Sequence, residues 1–316
     1  MKNVAIMFYG SHRTIFECWT SLRWLLDPTK YTITPFFYFW DTGDETRNKG
    51  IVELIKPALY WFGEVPDVKI VSKQLQEKHK SHPITYSSTV SMESFISGIF
   101  LRCYGMAQVN QVRLEYERLH NMSFDWYLVI RPDVRSFACG IDLEAEINSS
   151  QRLYGGYSRS EDVYNSQFTL RSVDKYAARM LYDGPAEFIT GEPVTANTLG
   201  LDVYKRPMGM VDPGFKLGDD DNIAVLPNRP HYGAWNDQVV FLTKRSVNTW
   251  TRQYEWMITD MVSGKESWFL WPEMFTKQWN HHVNGTRMVT IPFDFEVWRP
   301  EDYRDPSTHQ WIWNRK

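Results

Sequence analysis

The sequence predicts an α/β protein: a mostly parallel central sheet flanked by helices, with a C-terminal extension. Two observations carry this. In Phe124-Asp125-Trp126-Tyr127-Leu128-Val129-Ile130, five aromatic or branched residues run together between Ser123 and Pro132, the pattern of a short strand buried on both faces. Through the first half of the chain, apolar runs of strand length alternate with helical periodicities, which is how crossover connections and parallel pairing read in sequence.

Taken in order, residues 4–8 are the opening strand and Tyr9-Gly10-Ser11-His12-Arg13-Thr14 the loop after it. The loop leads into an amphipathic helix over 15–26, with Phe16, Trp19, Leu22 and Leu26 on helical spacing, stopped by Asp27-Pro28. Gly10 permits close backbone approach, and Arg13 offers a planar fork for phosphate beside the amides of a helix start. The same residues also read as a tight turn with a solvated arginine. Residues 31–40 are a second strand, irregular or at a sheet edge near Pro35, and it closes on Trp40-Asp41. Asp41 either accepts from a ribose or base or caps the polar turn over 42–48.

A helix is expected over 51–59, a short strand over 68–71, and a polar loop through His82-Pro83. Residues 90–120 have sustained helical character, with Gly98 and Gly105 as marks of a break between two helices. This element feeds the central strand, after which Arg131-Pro132-Asp133 follows at once. In open parallel sheets the carboxyl ends of the strands line the ligand crevice, so Asp133 is the first functional candidate. Its plainer reading is a turn residue paired with Arg131.

Beyond it, a short helix is expected over 142–147, a strand and glycine bend over 152–157, a strand over 164–170 and a helix over 173–181. Residues 183–230 are rich in Gly, Pro and Asp, and Gly218-Asp219-Asp220-Asp221-Asn222 reads as a cation-binding cluster or a solvated turn. Tyr232-Gly233-Ala234-Trp235-Asn236-Asp237-Gln238 reads as a helix start, with Asn236 or Asp237 as the cap. Helices are expected over 250–261 and 272–280, with Glu273 in the first turn of the latter and His281-His282 at its end. A final strand is expected over 289–293, and residues 299–316 form a polar tail laid over the body.

Composition narrows the function classes. The chain is 16% aromatic, a density that suits either a groove for sugars, bases or peptides or a tryptophan-rich core. A net charge of -3 gives no polybasic signature, so nucleic acid or anionic membrane contact would need a local patch. Cys18, Cys103 and Cys139 are odd in number and lack metal-knuckle spacing, which suits reduced thiols. With no run long enough for a membrane span and too short an apolar start for a signal peptide, a cytoplasmic location is expected.

Together, Gly10-x-x-Arg13-Thr14, Trp40-Asp41, the long helix, Asp125 through Asp133, Asn236-Asp237-Gln238 and the Pro272-Glu273 helix resemble short GT-A-type glycosyltransferases of bacteria, viruses and phages. The resemblance implies a single catalytic domain over 1–298, with a donor half about 1–150 and an acceptor half about 151–298. It also implies a nucleotide-sugar donor and an acceptor that is a glycan or a hydroxymethylated base in phage DNA, with a host-cytoplasmic setting if the source is viral. Gly10, Arg13, Thr14, Trp40, Asp41 and Arg131 would contact the donor. Asp133 would stand for the family's Asp-x-Asp and hold Mn²⁺ or Mg²⁺ with His281 or His282, although Arg131 replaces the first acid. Asp237 is assigned as the base, with Glu273 in reserve. A DNA acceptor would call for a basic groove built from residues such as Lys78, Lys80, Arg159, Arg171, Lys205 and Arg206. The competing class is a catalytically silent carbohydrate- or nucleotide-binding module. No Gly-x-x-x-x-Gly-Lys or Gly-x-Gly-x-x-Gly supports a different nucleotide enzyme.

Overall fold

The computed structural model describes residues 1–12, 14–69, 73, 92–136, 139–154, 222–227, 238–258, 276, 278–291 and 295–297. They form a seven-stranded sheet with helices on both faces and a separate two-stranded ribbon. Strand β1 (Lys2–Gly10) pairs parallel with β2 (Tyr31–Trp40) on one side and with β4 (Trp126–Ile130) on the other, and β3 (Leu59–Gly63) extends the sheet beyond β2. Beyond β4 the order continues through β7 (Val239–Leu242), β6 (Ile223–Pro227) and β8 (Arg287–Ile291), with β7 antiparallel to both of its neighbours. β5 (Val134–Ser136) and β9 (Phe295–Val297) make the ribbon.

The centre of the sheet reads apolar because it is covered twice. Val4, Ile6 and Phe8 pack under α1 (Ile15–Leu22) and α2 (Glu45–Ile55), while Ala5, Met7 and Tyr9 pack under α3 (Met92–His120). All five residues of β4 are buried. The expected interruption at Pro35 has a register explanation: pairing with β3 begins at Phe36, so the first half of β2 has β1 as its sheet neighbour and loses no ladder bond at the proline.

Several expectations are corrected. The helix expected over 51–59 runs from Glu45, where the Asp44 side chain accepts from the Arg47 amide, to Ile55, where Lys56 closes it in the left-handed region at φ 52°. Leu59–Gly63 is then a strand, whereas Val68 and Lys69 lie outside any strand. Residues 92–120 form one unbroken helix, because Gly105 is a contact point and not a break: a Cβ there would come within 3.2 Å of the Tyr9 ring and 3.5 Å of the Gly10 nitrogen. The opening helix ends at Leu22, and Phe16 is solvent-exposed, with Arg47 over its ring.

The helix begun near Asp142 continues as α4 (Leu143–Tyr154), so the strand expected from residue 152 begins inside a helix. The apolar run after Asp237 is a strand, not a helix: four buried residues, Val-Val-Phe-Leu, carry no period, and their branched and aromatic character decides for pairing with β4. β6, inside the Gly/Pro/Asp-rich stretch, was not expected from sequence. Helix α5 (Lys244–Thr251) and the short α6 (Gln253–Trp256) replace a single helix from 250, and a π-helical segment (Gln278–Val283) continues past the expected end at 280. The last strands are Arg287–Ile291 and Phe295–Val297. The elements expected over 164–170 and 173–181, the acid cluster at 218–221 and the tail lie outside the described residues. Among the described residues no helix is long and apolar enough to cross a membrane.

A buried ionic network joins the layers. Arg113, 1% exposed, donates to Glu117 at 2.6 Å and Asn248 at 2.8 Å, also bonds Asn110, and lies over the Tyr127 ring. The Tyr127 hydroxyl donates to the other Glu117 oxygen at 2.7 Å. Burial, then the Glu117 bond, raises the Tyr127 phenol well above its usual range.

Candidate functional site

Strand order fixes where a ligand crevice belongs. From β1 the chain steps outward through β2 to β3, then returns across the sheet to β4 on the opposite side of β1. The switch point therefore lies between the carboxyl ends of β1 and β4, where the connecting loops diverge. Phe8 pairs with Ile130 there, so the Gly10 loop and the Arg131-Pro132-Asp133 turn emerge side by side.

Gly10 ends β1 at φ 93°, a conformation that side-chain-bearing residues seldom adopt, and a Cβ there would come within 3.8 Å of Trp40 Nε1. Trp40 in turn stacks on Tyr104 of α3 with centroids 6.0 Å apart. Thr14 is buried at the N-terminus of α1, and its hydroxyl accepts from the Cys18 thiol at 3.9 Å. That thiol is pushed up to about 12, mainly by burial, with the Thr14 bond opposing and the charge of Asp133 adding to the rise. Cys18 and Cys103 are buried and Cys139 exposed, and none of the three is in a disulfide.

Asp133 itself is 9% exposed. Its two oxygens accept from Arg131, at 2.9 Å from Nε and 2.5 Å from Nη2. The Arg131 amide donates to the Gln238 carbonyl at 3.1 Å, and the Ser136 amide donates to the Ser21 hydroxyl of α1. The turn is thus clamped between α1 and the start of β7.

Asp41 sits at the same edge but faces its own turn. It accepts from the Gly43 amide at 2.9 Å and from Asn48 at 3.0 Å, and these bonds, the Gly43 one first, hold its carboxyl below the usual range. Arg13, Asp237 and Glu273 lie outside the described residues, as do the lysines and arginines named for a basic groove. Gln238, next to Asp237 in sequence, belongs to this edge.

His281 and His282 lie in the π-helical segment, which leads to the other edge of the sheet. Just beyond them the Asn284 carbonyl accepts from Asn222, the residue before β6, and the Thr286 amide donates to the Asn280 carbonyl as β8 begins. Asp133 follows the carboxyl end of β4, so the fold does not bring the histidine segment and the carboxylate together. Among the described residues no three His, Cys, Asp or Glu side chains gather as a metal-binding group.

No family model and no curated protein matches the chain. Among solved structures, the chain is similar to apo mouse xyloside xylosyltransferase 1, at 9% identity and a TM-score of 0.33, covering 91% of this chain and 84% of that one. It is also similar to the mannosyltransferase Ktr4p from S. cerevisiae, at 9% identity and a TM-score of 0.37, covering 88% of this chain and 63% of that one. Both are glycosyltransferases, and no residue correspondence follows at this identity.

One residue at the switch point escaped the sequence reading. His12 is 3% exposed; its Nδ1 accepts from Arg47 Nε at 3.1 Å, which puts the imidazole proton on Nε2. Nε2 has no hydrogen-bond partner among the described residues. A histidine in a polar loop looks solvated in sequence, and only the packing of Phe39 and Arg47 around it reveals the burial. Burial first, then the charge of Arg47, lowers its pKa, with a backbone hydrogen bond, Asp44 and Asp41 opposing. Because the folded value lies below the unfolded one of about 6.5, this stability is complete above about pH 6.5 and is lost as the pH falls through the folded value. Thermal melts across pH 5 to 8 are expected to show that acid slope, and His12→Gln to flatten it; superimposable profiles for the two proteins would contradict the burial of a neutral imidazole.

Proposed function

We propose that the chain is a glycosyltransferase, moving a sugar from a nucleotide-sugar donor to an acceptor hydroxyl. The observation that carries this reading is the convergence, at the β1/β4 switch point, of a left-handed glycine turn at a helix start with an arginine–carboxylate turn. A diphosphate suits such an edge, because backbone amides and a planar guanidinium can both meet its oxygens. In the reaction the acceptor oxygen bonds to the anomeric carbon as the bond from that carbon to the donor phosphate breaks, and the electron pair leaves on the nucleoside diphosphate. In an inverting transfer the hydroxyl proton passes to a base, a role we assign to Asp237, with Glu273 as the second choice. The acceptor is a glycan or, in a phage setting, a hydroxymethylated base in DNA.

The closed Arg131–Asp133 pair also suits a second reading, a binding module that holds nucleotide or carbohydrate without turnover. Incubation with UDP-, GDP- and CMP-sugars, with and without Mn²⁺, separates the two by donor hydrolysis and thermal shift. Hydrolysis of at least one donor is expected. A thermal shift without hydrolysis favours the module, and silence across the panel removes both.

A further inference from the structure

The carboxylate expected to hold a divalent cation already has a cation on it. Both Asp133 oxygens are taken by the Arg131 fork, and the side chains of the pair are 27% and 12% exposed for Arg131 and Asp133 respectively. A hard divalent ion there would sit against the Arg131 charge and would have to recruit further oxygen ligands. Among the described residues no such group assembles, and the histidine segment assigned to help leads to the opposite edge of the sheet. The described residues do not assemble a divalent-ion site at Asp133.

They do fit an anion on Arg131. Its guanidinium plane is set by Asp133, its backbone is fixed by the bond to Gln238, and its partly accessible side chain belongs to a turn that leaves β4 next to where β1 ends at Gly10. A guanidinium already oriented by a bidentate carboxylate meets a phosphate with less ordering to be done than a free arginine. We propose that nucleotide binding at this site is metal-independent, with Arg131 taking the diphosphate charge in place of a divalent ion and Asp133 acting as the residue that positions Arg131. This rests on the nucleotide-sugar reading above.

Calorimetric titration of the full chain with UDP and GDP, once in chelator and once in Mn²⁺, tests it. For the tightest nucleoside diphosphate the two dissociation constants are expected to agree within about twofold, and Arg131→Gln to weaken binding by about 10- to 100-fold in both buffers. Asp133→Asn is expected to weaken binding without creating any response to Mn²⁺. A Mn²⁺-dependent tightening of more than about tenfold in the unsubstituted chain, or an unchanged Arg131→Gln, overturns the proposal and leaves the nucleotide-sugar reading standing. Failure of every nucleotide to bind in either buffer overturns that reading and this inference together.

Discussion

Arg113→Ala is expected to destabilise the chain by about 3–5 kcal/mol, because it leaves the Glu117 carboxylate buried without its cation. At this chain length that corresponds to a fall in melting temperature of about 5–8 °C. The direction follows from desolvation, not from the attraction between the charges. Glu117 would keep only the Tyr127 hydroxyl among its described side-chain partners, and Asn110 and Asn248 would each lose a donor. The network is also imperfect, since Arg113 Nε has no partner among the described residues. Replacing both charges by apolar groups, Arg113→Met with Glu117→Leu, is therefore expected to cost less than Arg113→Ala alone. Denaturant unfolding of the three proteins checks this. A double variant less stable than Arg113→Ala would mean that the pair is a net source of stability.

The second large effect concerns turnover. Asp133→Ala and Arg131→Gln are each expected to lower donor hydrolysis by on the order of 10²-fold, the usual consequence of losing one fixed charge-stabilising donor. The double variant is expected to lose little more than either single one, because the carboxylate acts through the guanidinium it holds and the two form one unit. Circular dichroism and melting curves would accompany the kinetics, since a folded protein is required for the comparison. Losses that multiply in the double variant would give Asp133 a role separate from Arg131.

How much of this was legible in the sequence depends on whether local pattern or tertiary contact decides each element. β1, β2 and β4 were legible because both of their faces are covered, so the run itself is apolar whatever the neighbours are. β7 was not, since a four-residue apolar run satisfies helix and strand equally and only pairing with β4 chooses. Gly105 looked like a break because the 3.2 Å approach to Tyr9 that favours glycine there is a long-range fact. The site divides the same way. Asp133 and Gly10 could be placed at the carboxyl ends of strands from sequence because that placement needs only the strand. The histidine pair was grouped with Asp133 by resemblance, whereas the pairing through β7 and β6 starts β8, and the segment leading into it, at the other edge. His12 gave no signal, because burial of a polar loop residue is visible only once Phe39 and Arg47 surround it.

The central claim is that a diphosphate is received between the carboxyl ends of β1 and β4, and a crystal structure with the tightest-binding nucleoside diphosphate tests it most directly. The expected result is phosphate oxygens within hydrogen-bond distance of Arg131 and of the amides following Gly10, with Asp133 still on the guanidinium. Nucleotide bound at the opposite edge of the sheet, or on a surface remote from Arg131, would contradict it.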